Sequence, residues 1–255
     1  MTNDIATQTV EERNIINDCF SSRGGDGYND SQLIPVTVYS MGKSISNADR
    51  KGLSFDPVTF GLVASDQVNA AATLHPKHGY VIGLNLGLAN QIFNAAYDLN
   101  PFPEGTHPIG TFAFALAQIA TSFIIEHEVA HILNGHLLLH QNQPKPLEVT
   151  MRHDDECSKR LSKLDIQTLE MDADACAVTR TISWVVNIHR HAENGGQIAG
   201  VLMPFFNDFS EKEVITNTIS AMTLAIESLS QEESELEHCK QQSHRVRLQK
   251  NVCVL

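Results

Sequence analysis

Residues 109–136 read IGTFAFALAQIATSFIIEHEVAHILNGH. The stretch is apolar on nearly every side. It therefore predicts one long helix, from about residue 110 to 139, buried at the centre of the protein. A second strong helix is predicted over residues 166–191. These two helices organise the expected fold.

The apolar part of this stretch raises the question of a membrane span. Residues 109–125 are 17 in number, near the lower limit for crossing a bilayer. Polar side chains interrupt the run at Thr111, Gln118, Thr121 and Ser122. The run also continues directly into Glu126-His127-Glu128. We therefore expect a core helix and no membrane span.

The rest of the chain predicts further helices and a small sheet. Strand-like segments lie at 60–64, 68–74 and 79–85, with a turn at residues 75–79 between the last two. Leu33–Ser40 also looks like a strand, and short helices are predicted at 10–20, 87–99 and 211–229. The fold class expected is α+β, mostly α-helical. We expect residues 1–32 to form a polar, partly flexible N-terminal segment and residues 33–255 to form a single domain.

Composition excludes several classes of function. The chain has 255 residues and a formal net charge of −12, and no basic cluster stands out. It therefore lacks the electrostatic footprint of a nucleic-acid binder. The N-terminus has neither a basic nor an apolar signal region. The five cysteines are scattered, with no Cys-x-x-Cys pair, which favours reduced thiols and a cytoplasmic location.

His127 and His131 are the strongest functional signal. They are four residues apart on a predicted helix, so both project from one face within reach of one cation. Imidazole is a good zinc ligand. Glu128 can face the metal-activated water and take its proton as general base. The alternative is a solvated helix face with incidental histidines, but the apolar surroundings make unpaired polar groups costly there.

The second helix offers the third ligand. Glu170 and Asp174 are again four residues apart. We expect Glu170 to bind the metal and Asp174 to accept the other ring N–H of a ligand histidine. Asp172 is an alternative ligand, and a solvated acidic face is the alternative without function. His136, further along the first helix, is expected to be structural or to lie at the rim of a cleft.

This pattern resembles the gluzincins, and more narrowly the HtpX and CAAX-prenyl-endopeptidase type. That group shows His-Glu-x-x-His, another His five residues on, and then Glu-x-x-Ala-Asp-x-x-Ala. The chain matches every position, at 127–136 and 170–177. It is also similar to soluble offshoots such as the phage-exclusion Lit-type peptidases. The resemblance implies a zincin-like core, with a small sheet packed over the active-site helix.

Two further segments enter through the resemblance. Asn69, Ala70 and Ala71 match the family's edge strand, where substrate backbone adds as an extra strand, although the family has Phe at the position of Ala71. A downstream segment that reaches the substrate carbonyl has its nearest counterpart at residues 238–245, without the family's proline. His238, His244 or Arg245 would stabilise the oxyanion there. The alternative for these residues is a solvated C-terminal helix.

The function expected is a zinc-dependent endopeptidase with one Zn²⁺ per chain and a peptide or protein substrate. Two rival classes stay open. One is a non-catalytic zinc-binding interaction protein, and the other is a zinc hydrolase that acts on a non-peptide bond. Glu128 argues against the first because a structural zinc needs no base. The matched edge strand favours peptides over the second.

Overall fold

The computed structural model describes residues 8–20, 33–48, 57–99, 109–140, 148–150, 163–195 and 209–229. The helices within these ranges are α1 (Val10–Phe20), α2 (Leu33–Ser46), α3 (Leu86–Asp98), α4 (Ile109–Leu133), α5 (Lys163–Glu193) and α6 (211–229). The strands are β1 (Thr59–Val63), β2 (Ala70–His75), β3 (Gly79–Asn85) and β4 (Glu148–Thr150). The protein is thus mostly helical with a small mixed sheet, which confirms the predicted α+β class.

The sheet has the strand order β1-β3-β2-β4. β1 runs parallel to β3, whereas β2 is antiparallel to both β3 and β4. A tight turn joins β2 to β3, with His75 opposite Gly79. Gly79 has φ of +72°, a conformation that residues with a Cβ rarely adopt. The predicted hairpin and its turn are therefore confirmed.

Helix α4 forms the centre of the molecule. It is long and apolar enough to cross a membrane by length and composition, and among the described residues no other helix is. However, 89% of that window is buried by the rest of the chain. Phe123, Ile124 and Ile119 are fully buried. The composition of α4 is therefore that of a core helix, on which the sheet, α2, α3 and α5 pack.

Helix α1 packs on a second apolar cluster of the sheet. Its Ile16 and Phe20 are buried together with Val63, Ala71 and Val81 of the three longer strands. Two paired glycines, Gly61 and Gly83, allow this close approach. A Cβ at Gly61 would lie 2.3 Å from the Ile16 side chain, and one at Gly83 would lie 2.6 Å from the Phe20 ring. The described part of the N-terminal segment thus belongs to the packed protein.

A partly exposed polar cluster connects α1 to α2. Glu12 and Thr9 form a capping box, in which Thr9 N donates to Glu12 Oε2 at 2.8 Å and Glu12 N donates to Thr9 Oγ1 at 3.1 Å. The Tyr39 hydroxyl donates to Glu12 Oε2 at 2.6 Å, and Lys43 Nζ lies 2.9 Å from Oε1. Burial opposes ionisation of Glu12, but these donors outweigh it and lower its pKa from 4.5 to about 2.

Replacing Glu12 by Gln is expected to destabilise the protein by about 1 kcal/mol near neutral pH, because charge-assisted hydrogen bonds in a partly solvent-screened cluster are lost. The folded pKa lies below the unfolded one. The stabilisation is therefore complete above the unfolded pKa of about 4.5 and is lost as the pH falls towards 2. Urea unfolding of both proteins across this range should show the difference shrinking on acidification. Glu11→Gln, the exposed neighbour, is the control. Equal stability of Glu12→Gln and wild type at neutral pH would disprove the role of this cluster.

The prediction of a strand at Leu33–Ser40 is wrong, since this segment begins helix α2. Its β-branched residues favour a strand locally, but the buried positions recur at helical spacing. They are Pro35, Val38, Tyr39, Gly42 and Ser46. Gly42 admits the ring of Phe60, which a Cβ would approach to 2.2 Å. Packing against β1 and α4 therefore decides the conformation.

Candidate metal centre

Helix α4 carries both histidines of the motif into the protein interior. His127 and His131 are 1% and 0% exposed. Their spacing of one helical turn places the imidazoles side by side, with the two Nε2 atoms 2.9 Å apart. Two ring nitrogens therefore face one point from the same helix face, as the spacing predicts.

Helix α5 lies beside α4 and supplies the third donor. Ala173 and Ala177 of α5 are fully buried, and such small side chains let helices approach closely. An ion pair of 3.3 Å between Arg180 Nη1 and Glu126 Oε2 also joins the two helices. This packing brings the Glu170 carboxylate to the paired imidazoles.

His127, His131 and Glu170 form a group with the geometry of a metal site. Glu170 Oε2 lies 3.2 Å from His127 Nε2 and 3.6 Å from His131 Nε2, and the two nitrogens are 2.9 Å apart. Ligands about 2.0–2.1 Å from a tetrahedral zinc are separated by about 3.3 Å. The three separations bracket that value. Among the described residues this is the group that could hold a metal ion, and it contains Glu170 rather than Asp172.

Asp174 contacts the second ring nitrogen of His127. Its Oδ1 lies 2.8 Å from His127 Nδ1, while Glu170 faces Nε2 of the same ring. One turn of α5 separates the two carboxylates, so they contact opposite nitrogens of one imidazole. A ligand histidine that donates its second N–H to a carboxylate has a fixed tautomer and ring orientation. The structure thus places Asp174 where the sequence predicts it.

Helix α4 ends earlier than predicted, and its end forms part of the site. His136 N donates to His131 O at 3.0 Å, and Gly135 N donates to Ile132 O at 3.2 Å. This pair of bonds is the Schellman motif, which needs a left-handed residue after the helix. Gly135 supplies it with φ of +75°. The chain therefore turns back, and His136 packs against the last turn of α4.

The turn brings His136 into contact with the predicted metal ligand. His136 Nδ1 lies 2.9 Å from His131 Nδ1, and the two rings meet edge to face. On its other side, His136 Nε2 lies 3.1 Å from Asp172 Oδ2. Asn134 Nδ2 donates to the same oxygen at 2.7 Å. The sequence indicated only a structural or rim position for His136, and it offered Asp172 as a ligand rather than as this partner.

The three donors differ in their protonation. Burial lowers the pKa of His131, so this ring stays neutral with a lone pair available. Burial also opposes protonation of His127, but its bonds to Asp174 and Glu170 outweigh this effect and raise its pKa to about 10. Burial opposes ionisation of Glu170, but both histidines together lower its pKa to about 2. A metal that binds these donors would displace a proton from the Nε2 of His127.

Glu128 is a buried carboxylate next to the triad. It is 0% exposed, and its charge acts to raise the pKa of His127. A buried carboxylate is costly unless it has partners or a function. Glu128 is therefore a buried acidic group whose charge acts on His127, one of the three possible metal donors.

The predicted substrate-binding residues lie in and just before β2. Asn69, Ala70 and Ala71 are each 2% exposed or less. The expectation that β2 is an edge strand is wrong, because β2 pairs with β3 on one side and with β4 on the other, from Ala71 to Thr73. β4 comes from the connection between α4 and α5, which carried no strand signal in the sequence. The role of the three residues in substrate binding stays a prediction.

His238, His244 and Arg245, the predicted oxyanion-stabilising residues, lie outside the described residues. Their role also stays a prediction. No family model, curated protein or solved structure matches this chain. The resemblance to the gluzincins therefore stands on the motif residues alone.

Proposed function

We propose that the protein is a zinc-dependent metalloendopeptidase with a zincin-like core. The observation that supports this most is the buried Glu128 beside the group of His127, His131 and Glu170. A structural metal site needs ligands alone. A hydrolytic site also needs a base next to them, and Glu128, the residue after His127, would be that base.

The chemistry of the donor set favours zinc. Two imidazole nitrogens and one carboxylate oxygen are typical of catalytic zinc sites, which keep a fourth position open. Calcium and magnesium prefer sites built from oxygen alone. The three separations near 3.3 Å suit a tetrahedral ion of this size.

The proposed reaction divides the work between the metal and the chain. Zinc, when bound, would act as a Lewis acid that lowers the pKa of a coordinated water to about 7 and polarises the scissile carbonyl. Glu128 would accept the proton of the attacking water on its carboxylate and then pass it to the leaving amine. Asp174 would keep Nε2 of His127 aimed at the metal by holding the proton on Nδ1.

The preference for a peptide substrate comes from the resemblance and from the sheet that packs on α4. Extended peptides bind proteins by adding a strand to a sheet, where main-chain groups give affinity with loose sequence preference. Because β4 already pairs with β2, a peptide would add either alongside β4 or in its place.

A cleavage assay with the zinc-loaded protein tests this function. A diverse peptide library and casein would be incubated with it, and new termini would be identified by mass spectrometry. We expect cleavage that a chelator abolishes and that zinc restores, while magnesium does not. If zinc binds but no peptide is cut, the peptidase proposal fails, and a non-catalytic zinc protein or a hydrolase of another bond is favoured.

A further inference from the structure

His136 is a buried histidine that the proposed reaction does not use. It is 4% exposed and contacts His131 on one side and Asp172 on the other. In a neutral imidazole one ring nitrogen donates a hydrogen bond and the other accepts one. The partners of His136 therefore bear on which of its nitrogens carries the proton.

A metal bound to Nε2 of His131 would determine which ring nitrogens of His131 and His136 carry protons. A neutral His131 that binds a metal through Nε2 must carry its proton on Nδ1. Within the described part of the chain, the partner of that N–H is Nδ1 of His136, at 2.9 Å. His136 therefore keeps a lone pair on Nδ1 and carries its own proton on Nε2, where it donates to Asp172 Oδ2 at 3.1 Å. Each proton position follows from the one before it.

The two histidines that would bind the metal are therefore oriented by different hydrogen bonds. His127 donates directly to the carboxylate of Asp174, whereas His131 reaches a carboxylate only through His136. Helix α5 supplies both carboxylates and the ligand Glu170 from alternate positions.

We propose that His136 and Asp172 form a positioning relay, which holds His131 in the Nδ1–H tautomer with Nε2 aimed at the metal. The relay acts through a metal ligand, so it rests on the metal site of the proposed function. Without His136, the buried N–H of His131 would lose the acceptor that the described residues give it, and its ring orientation would be less restricted. Partners of this kind contribute about 10–100-fold to metal affinity.

Substitutions of His136 separate the relay from simple packing. Asn places its amide near the position of Nδ1, so it can still accept from His131. Gln places its amide near the position of Nε2, so it can contact Asp172 but not His131. Leu removes both contacts. For zinc, we expect His136→Leu and His136→Gln to raise the Kd about 10–100-fold, and His136→Asn to stay within about tenfold of wild type.

Two spectroscopic readouts report on His131 directly. In the zinc-loaded protein, nitrogen-detected NMR should show His131 as the Nδ1–H tautomer and His136 as the Nε2–H tautomer. In the cobalt-substituted protein, the visible d–d bands should shift in His136→Leu and His136→Gln more than in His136→Asn. His191→Leu, at an exposed position near the end of α5, is the control and should leave both unchanged.

Asp172 gives a second test at an exposed position, where the fold tolerates change. Its side chain is 56% exposed. Asp172→Ala should weaken zinc binding about tenfold and leave the thermal unfolding of the metal-free protein nearly unchanged.

The relay is overturned if all three His136 variants bind zinc like wild type, if Gln preserves affinity better than Asn, or if His136 is the Nδ1–H tautomer. If Asp172→Ala binds zinc as tightly as wild type does, the Asp172 carboxylate is not part of the relay, and the relay as proposed is rejected. If the His136 variants show the predicted order of zinc affinities but the wild type cuts no peptide, the relay is supported and the peptidase proposal is rejected. If the wild type cuts peptides but the variants do not show that order, the peptidase proposal is supported and the relay is rejected.

Discussion

Glu128→Gln is expected to retain zinc and to lose peptide hydrolysis, with kcat lower by about 10²–10⁴-fold. Gln has nearly the same shape as Glu but cannot accept the proton of the attacking water. Glu128 is fully buried beside His127, so no solvent base replaces it readily. The measurement is zinc content together with kcat on a peptide that the wild type cleaves.

Glu126→Gln is the matched control for this variant. Glu126 lies on the same helix, two residues away, but its carboxylate pairs with Arg180 instead of facing the metal donors. We expect the control to keep its hydrolytic activity within a few-fold. Full activity of Glu128→Gln would contradict the proposed mechanism. If Glu128→Gln loses zinc, Glu128 maintains the metal site instead of acting as the general base.

Glu170→Gln is expected to weaken zinc binding by more than the roughly 10–100-fold that follows loss of an outer hydrogen bond. The Glu170 carboxylate lies within 3.6 Å of both ligand nitrogens, and an amide oxygen is a much poorer ligand for zinc. Asp172→Asn should have the smaller effect, because Asp172 contacts His136 and not the triad. Competition with a chromophoric chelator gives both dissociation constants.

Glu193→Gln, an exposed carboxylate at the end of α5, serves as the control for Glu170→Gln. It should bind zinc like wild type. A larger loss in Asp172→Asn than in Glu170→Gln would make Asp172 the ligand, the alternative that the sequence leaves open.

The core of the site could be predicted because it depends on helical periodicity. His127 and His131 share a face of α4, and Glu170 and Asp174 share a face of α5, whatever the rest of the chain does. The apolar surroundings of the first pair indicate that it is buried, and the structure confirms this. Local spacing therefore places each pair on one helix face, and the packing of α5 against α4 brings the two pairs together.

The contact between His136 and Asp172 depends on where a helix ends, which periodicity does not show. The pattern continues past Leu133, so the predicted helix runs to about residue 139. In the structure Gly135 turns the chain at positive φ and brings His136 back onto His131. A glycine directly before a histidine near the end of a predicted helix was the available signal.

The strand prediction at residues 33–40 and the edge position of β2 were wrong for a different reason. Both depend on partners distant in the sequence. Helix α2 follows from packing against Phe60 and α4, which overrides the strand preference of its β-branched residues. β4 pairs with β2 from across α3 and α4 in the sequence, so no local pattern shows that β2 lies inside the sheet.

X-ray absorption at the zinc edge tests the central claim most directly, because it reads the ligands themselves. With one equivalent of zinc bound, we predict four nitrogen or oxygen ligands at about 2.0–2.1 Å, including two imidazoles. The five cysteines of the chain are the alternative source of zinc ligands, and they would bind through sulfur. A sulfur ligand at about 2.3 Å, six oxygen ligands or no bound zinc at all would contradict a metal centre formed by His127, His131 and Glu170.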